Sequence, residues 1–116
     1  VTFEGWVRSS NEGKRVLQLE YEAYEPLASS EGERILMETM ERFSIRQAIC
    51  RHRTGMLAVG DLAVWVGVTS SHRDSAFDAC RYIIDEIKRR VPIWKKEYYD
   101  EGTSMWLDPT SGGLST

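Results

Sequence analysis

Two hydrophobic periods alternate along this chain. Leu17, Leu19, Tyr21 and Ala23 take turns with Gln18, Glu20 and Glu22, the pattern of a strand with one buried face. Val1 to Arg8 is also extended in character, with Val1, Phe3 and Gly5 on one side. The polar run Ser9-Ser10-Asn11-Glu12-Gly13 between them predicts a hairpin joining the two strands. Pro26 suits the first turn of a helix, and Leu36, Met40 and Phe43 follow at helical spacing. Gly32 weakens that stretch, so the helix is expected to begin properly only after it. Ile45 to Arg53 reads as a strand and Thr54 to Gly60 as a connector. Leu62 to Val68 is apolar on both faces, which predicts a central strand covered from both sides. The turn Thr69-Ser70-Ser71 leads into a second helix, with Ser71 as N-cap and Asp74 three residues on. Phe77, Cys80, Ile84, Ile87 and Val91 form its apolar stripe, and Pro92 ends it.

Strand, strand, helix, strand, strand, helix predicts an α+β fold: a mixed, mostly antiparallel sheet with two main helices. Residues 1–107 read as a single domain, large enough for one core, and the Gly/Ser/Thr-rich 108–116 as a flexible tail. Val1 opens inside a strand-like run without a Met, so further residues are expected upstream. No apolar run approaches the ~18 residues of a membrane helix, so no membrane partner is expected. Cys50 and Cys80 stand apart with no ligand spacing. They read as small buried apolar residues, and no metal is expected.

Charge narrows the chemistry. A net charge of −3 argues against a general nucleic-acid binder. Arg51 to Arg53 and Arg89 to Lys96 are nonetheless locally basic, which points to a local site. His72 and Arg73 occupy the first turn of the second helix, where the dipole disfavours cations. By helical projection Arg73 lies on the side of Phe77 and Ile84, facing away from solvent. An anion held by imidazole, guanidinium and free N–H groups would compensate; a carboxylate partner for Arg73 is the alternative. Lys88 projects to the edge of the stripe. It is either a desolvated amine fit for nucleophilic or proton-carrying work, or a lysine whose stem covers apolar surface. By position alone the second reading is the commoner. Arg89 and Arg90 read as a solvated basic end, partnered by Asp85 and Glu86.

Four motifs in order carry a family resemblance: VTFEGWVR at the start, HRTG at His52 to Gly55, GVTSSHRDSAFDACRYIIDEIK from Gly67 to Lys88, and VPIWKKE from Val91 to Glu97. With them the chain resembles the large, catalytic subunit of molybdopterin synthase from about Val1 to Trp106. The resemblance implies an α/β-hammerhead type of fold and a cytoplasmic sulfur transferase without a cofactor. It implies a homodimer carrying a small ubiquitin-like subunit at each end, a heterotetramer. That partner's C-terminal Gly-Gly thiocarboxylate would supply sulfur to cyclic pyranopterin monophosphate, making the dithiolene of molybdopterin. Arg8 matches the family's pocket arginine and Phe3 its aromatic neighbour. His72 and Arg73 match the pair that binds the substrate's phosphate. Lys88 and Lys95 match the two essential lysines. The tail after Trp106 does not follow the pattern, and Gly112-Gly113 is not C-terminal, so it is not read as a sulfur carrier. A non-catalytic module for a ubiquitin-like tail or a phosphorylated ligand is the alternative reading.

Arg73 and Lys88 stand fifteen positions apart, ~22 Å along a helix. One small pocket does not contain both from the same helix. The expectation is a composite site at a homodimer interface, with His72 and Arg73 of one subunit facing Arg8, Lys88 and Lys95 of the other.

Overall fold

The computed structural model describes residues 1–100 and 104–107; the expected tail lies outside them. The class is α+β, as read, with two antiparallel sheets. In the first, β6 (Leu62–Thr69) lies between β1 (Thr2–Trp6) and β4 (Gln47–His52). The second is built on β3 (Lys14–Ala23). One edge of β3 carries β7 (Ile93–Tyr99) and then β8 (Ser104–Leu107); the other carries β2 (Ser10–Asn11) and β5 (Gly55–Ala58). The helices are α1 (Glu25–Arg42) and α2 (Arg73–Arg90).

The expected hairpin of the first two strands does not form. Only the short β2 turns back onto β3, through Glu12 and Gly13, both at positive φ, the twist that two-residue hairpin turns require. β1 instead places Phe3 and Gly5 opposite Val66 and Val64 of β6. Val7 continues that path, its N–H donating to the Asp61 carbonyl at 2.8 Å. The chain therefore crosses from one sheet to the other at Arg8.

Within β3 the expected face of Leu17, Leu19, Tyr21 and Ala23 is broken by a bulge. Val16 pairs with Tyr99 and Gln18 with Tyr98, so Leu17 is the extra residue. It turns outward, 49% exposed, while Val16, Leu19 and Tyr21 are buried. β5 lies inside the expected connector, where Leu57 is buried opposite Leu19. β7 was invisible to hydrophobic alternation for a different reason. Its buried face is Ile93, Lys95, Glu97 and Tyr99, and half of that face is charged.

The main core lies between α2 and the first sheet. Ala76, Ala79, Cys80, Ile83, Ile84 and Ile87 are buried on the helix, as are Val64, Val66 and Val68 on β6. The expected stripe holds from Cys80 to Val91 and fails at Phe77, which is 58% exposed. Small Ala76 and Ala79 take the contact with the sheet, which turns Phe77 outward. Arg73 is exposed too, not on the less solvated side. β6 is central, and one face, carrying Val64, Val66 and Val68, is buried in the core. On the other, Trp65 folds over Gly67, and a Cβ there would fall 2.4 Å from the ring. The N-cap of α2 is His72, not Ser71. Ser70 Oγ accepts the His72 N–H, and Ser71 Oγ accepts a hydrogen bond from Arg46.

α1 runs unbroken through Gly32, because tertiary packing overrides the weak propensity of one glycine. It buries Ile35 and Thr39, whose Oγ1 donates to the Ile35 carbonyl. Leu36 and Phe43 are half-buried and Met40 is exposed. Arg90 is not a solvated end. Its guanidinium reaches across to Glu31 and Glu38 of α1 and back to Glu86, tying the two helices together. Arg89 stays exposed beside Glu86. Only Val91 and Pro92 separate α2 from β7, and the Pro92 carbonyl accepts the Tyr24 N–H at the entry to α1.

Candidate active site

Three of the expected site residues converge. Phe3, Arg8 and Lys88 line one open cleft of about 810 Å³, beside Phe77, Arg81 and Ile84. Phe3 reaches it from β1, Arg8 from the crossing between sheets, and Lys88 from the last turn of α2. Lys88 is half-buried, its stem along the apolar edge of the helix as the projection had it.

Arg8 is also a wall of a second, much smaller space, about 10 Å³, shared with Ser10, Asn11, Lys95 and Glu97. That is room for about one water. Lys95 is 4% exposed and Glu97 1%, both on the inward face of β7. Lys95 Nζ stands 3.8 Å from Glu97 Oε1. Asn11 Nδ2 donates to that same oxygen at 2.7 Å. Burial holds Lys95 below the ordinary lysine range. Glu97 opposes the shift, and the charges of Arg8 and Lys88 add to it. Arg8, Lys88, Lys95 and Glu97 therefore influence one another electrostatically across the two spaces.

His72 and Arg73 do not join it. Both are exposed at the far end of α2, the length of the helix away from Lys88, and neither lines the cleft. Glu97 and Asn11 were not picked out as site residues from the sequence. A period of two through Ile93, Lys95, Glu97 and Tyr99 would have placed Glu97 inward. For Asn11, a turn-type residue in a polar run, no signal was available.

A separate cleft of about 300 Å³ between α1 and β4 is lined by Leu36, Cys50, His52 and Val91 among others. Two of its lining groups are held towards their neutral forms. Burial pushes the Cys50 thiol up to about 11 and the His52 imidazole down. His52 Nδ1 donates to the Arg53 carbonyl at 2.7 Å, and its ring meets Tyr21 edge-on.

Fold and cleft together define an α+β protein with an open cleft lined by Arg8, Arg81 and Lys88, with Asp78 and Asp85 also on its walls. The chain belongs to the MoaE protein family, whose model matches residues 1–90. It is 47% identical over 108 residues to the molybdopterin synthase catalytic subunit of Pyrococcus abyssi, covering 93% of this chain and 72% of that one. The crystal structure of molybdopterin synthase from Staphylococcus aureus superposes with a TM-score of 0.87 at 40% identity, over 93% of this chain and 78% of that one. A complex of subunits 1 and 2 of molybdopterin-converting factor from Helicobacter pylori shares the fold, with a TM-score of 0.76 at 18% identity, over 99% of this chain and 77% of that one. Among the described residues no helix is long and apolar enough to cross a membrane.

Proposed function

We propose that this chain is the catalytic subunit of a cytoplasmic molybdopterin synthase. It moves sulfur from the thiocarboxylated Gly-Gly tail of a small ubiquitin-like subunit to cyclic pyranopterin monophosphate. The single observation that carries the proposal is the grouping of Lys88 and Lys95 about Arg8, which lines the open cleft with Lys88 and the small space with Lys95. The named relatives in Pyrococcus and Staphylococcus support it, and the two-subunit Helicobacter complex supports a small partner.

In this reading the tail enters the open cleft lined by Phe3, Phe77 and Lys88, and Arg8 stands between that cleft and the small space of Lys95. The thiocarboxylate sulfur bonds to a substrate carbon as a carbon–oxygen bond at that carbon breaks, the oxygen leaving on the phosphate or as water, and the tail is left joined to the substrate as a thioester. Water then attacks the thioester carbonyl and the carbon–sulfur bond to the tail breaks. The sulfur stays on the substrate and the tail leaves as a carboxylate. Lys88, nearer the mouth, stabilises the tetrahedral oxyanion; buried Lys95 carries protons at the floor. Arg8 faces the substrate's phosphate. His72 and Arg73 lie ~22 Å along the helix from Lys88 and act on the phosphate in the site of a second copy, so the working form is a homodimer.

Dithiolene formation with a thiocarboxylated partner tests the proposal. Lys88→Ala and Arg73→Ala are each expected to lose activity, and the mixed dimer to regain part of it. Full activity in Lys88→Ala would sink the assigned chemistry. A mixed dimer as inactive as its parents would sink the shared site.

A further inference from the structure

Glu97 Oε1 is contested. Asn11 Nδ2 takes it at 2.7 Å, and Lys95 Nζ stands off at 3.8 Å, beyond hydrogen-bond length although both partners are buried. A buried ammonium beside a carboxylate normally closes to about 2.7–2.9 Å. The neutral amide holds the oxygen that the ammonium approaches. Asn11 comes from a different element, the short β2, and is positioned by the Glu12-Gly13 turn that folds β2 onto β3.

We infer that Asn11 is a positioning residue: by holding Glu97 Oε1 it keeps Lys95 at ion-pair distance, so that the amine stays directed at the space shared with Arg8 instead of being sequestered by the carboxylate. The inference rests on the reading of Lys95 as a working residue, but its physical content concerns only three side chains. Every group facing Lys95 bears on it. Glu97 lies on the same strand. Arg8 comes from the crossing between sheets and Lys88 from α2. On β3, Leu19 and the Tyr21 phenol are the register neighbours of Glu97 and Lys95. Of the charged groups among these only Glu97 attracts the ammonium, so the partner that restrains Glu97 bears directly on how strongly Lys95 holds its proton.

The test is the titration of Lys95 in isotopically labelled protein, read from its Cε and Nζ chemical shifts and assigned with Lys95→Arg. In Asn11→Ala the freed carboxylate oxygen closes on Lys95, and the midpoint is expected to rise by about one pH unit. Asn11→Leu keeps a similar side-chain volume without the amide donor and adds no charge, so it is expected to raise the midpoint in the same direction. It also covers the case in which Asn11→Ala loosens the hairpin and does not fold. Unchanged or lowered midpoints in the folded variants would overturn the inference. Turnover is measured separately. A raised midpoint together with an alkaline shift of the pH–rate profile supports both the inference and the role of Lys95. A raised midpoint with an unmoved profile supports the positioning effect and counts against Lys95 as a working residue.

Discussion

Replacing Glu97 by Gln isolates what the buried carboxylate does for Lys95. The amide keeps the shape and can still accept the Asn11 hydrogen bond. Lys95, 4% exposed, loses the acidic group 3.8 Å away. Removing one partner of a buried ion pair costs about 3–5 kcal/mol, because a charge is left without compensation. The lysine can escape by giving up its proton, and this sets a ceiling. Deprotonating an amine of pKa about 10.4 costs about 4.6 kcal/mol at pH 7 and only about 1.9 kcal/mol at pH 9. Burial already depresses the folded-state proton affinity of Lys95, and the variant depresses it further. Below the folded value both folded and unfolded chains carry the proton, and the penalty is complete. Between the folded value and the unfolded one the unfolded chain binds more protons, so stability rises with pH. Urea unfolding of variant and wild type at both pH values is the assay. Because wild type already carries part of the burial penalty, the expected loss relative to it stays below these ceilings, about 3–4 kcal/mol at pH 7 and less than about 2 kcal/mol at pH 9. Equal losses at the two pH values, or a loss below about 1 kcal/mol at pH 7, would refute the reasoning that a desolvated charge is at stake.

Three further outcomes are expected. Ile83→Ala, at a fully buried position facing β6, should lower unfolding stability by about 2–5 kcal/mol, visible as a reduced denaturant midpoint. Gly67→Ala should push the Trp65 ring off the sheet, because the new Cβ would lie 2.4 Å from it; tryptophan emission should shift, at a cost of about 1–3 kcal/mol. The Cys50 thiol, pushed up to about 11, should alkylate slowly at pH 7.5 and accelerate close to tenfold per pH unit until it ionises; a rate already at plateau by pH 9 would contradict its burial.

The legible parts of the sequence were those where burial and apolarity coincide. β6 and the Cys80-to-Val91 stripe of α2 were read because their inward residues are aliphatic or small. β7 was not read as a strand because Lys95 and Glu97 take inward positions, although its basic motif marked it as functional. Leu17 misled because a bulge changes which side chains share a face, and nothing in local composition marks it. Arg90 misled because its acidic partners on α1 are more than fifty residues away in the chain. The convergence of Arg8 with Lys88 and Lys95 depends on strand pairing between distant segments, which a linear pattern does not encode; the family resemblance, not periodicity, had grouped them.

The joint of Val91 and Pro92 bears on how this molecule can be altered. The Glu12-Gly13 turn is exposed at a sheet edge, and added length there would extend into solvent. The joint between α2 and β7 has no such freedom. One residue inserted there would rotate β7 by a full side-chain alternation, carrying Lys95 and Glu97 outward and Trp94 and Lys96 inward. The two lysines are thus coupled by counting as much as by distance, and a library of length variants should leave this junction the least tolerant point of the chain.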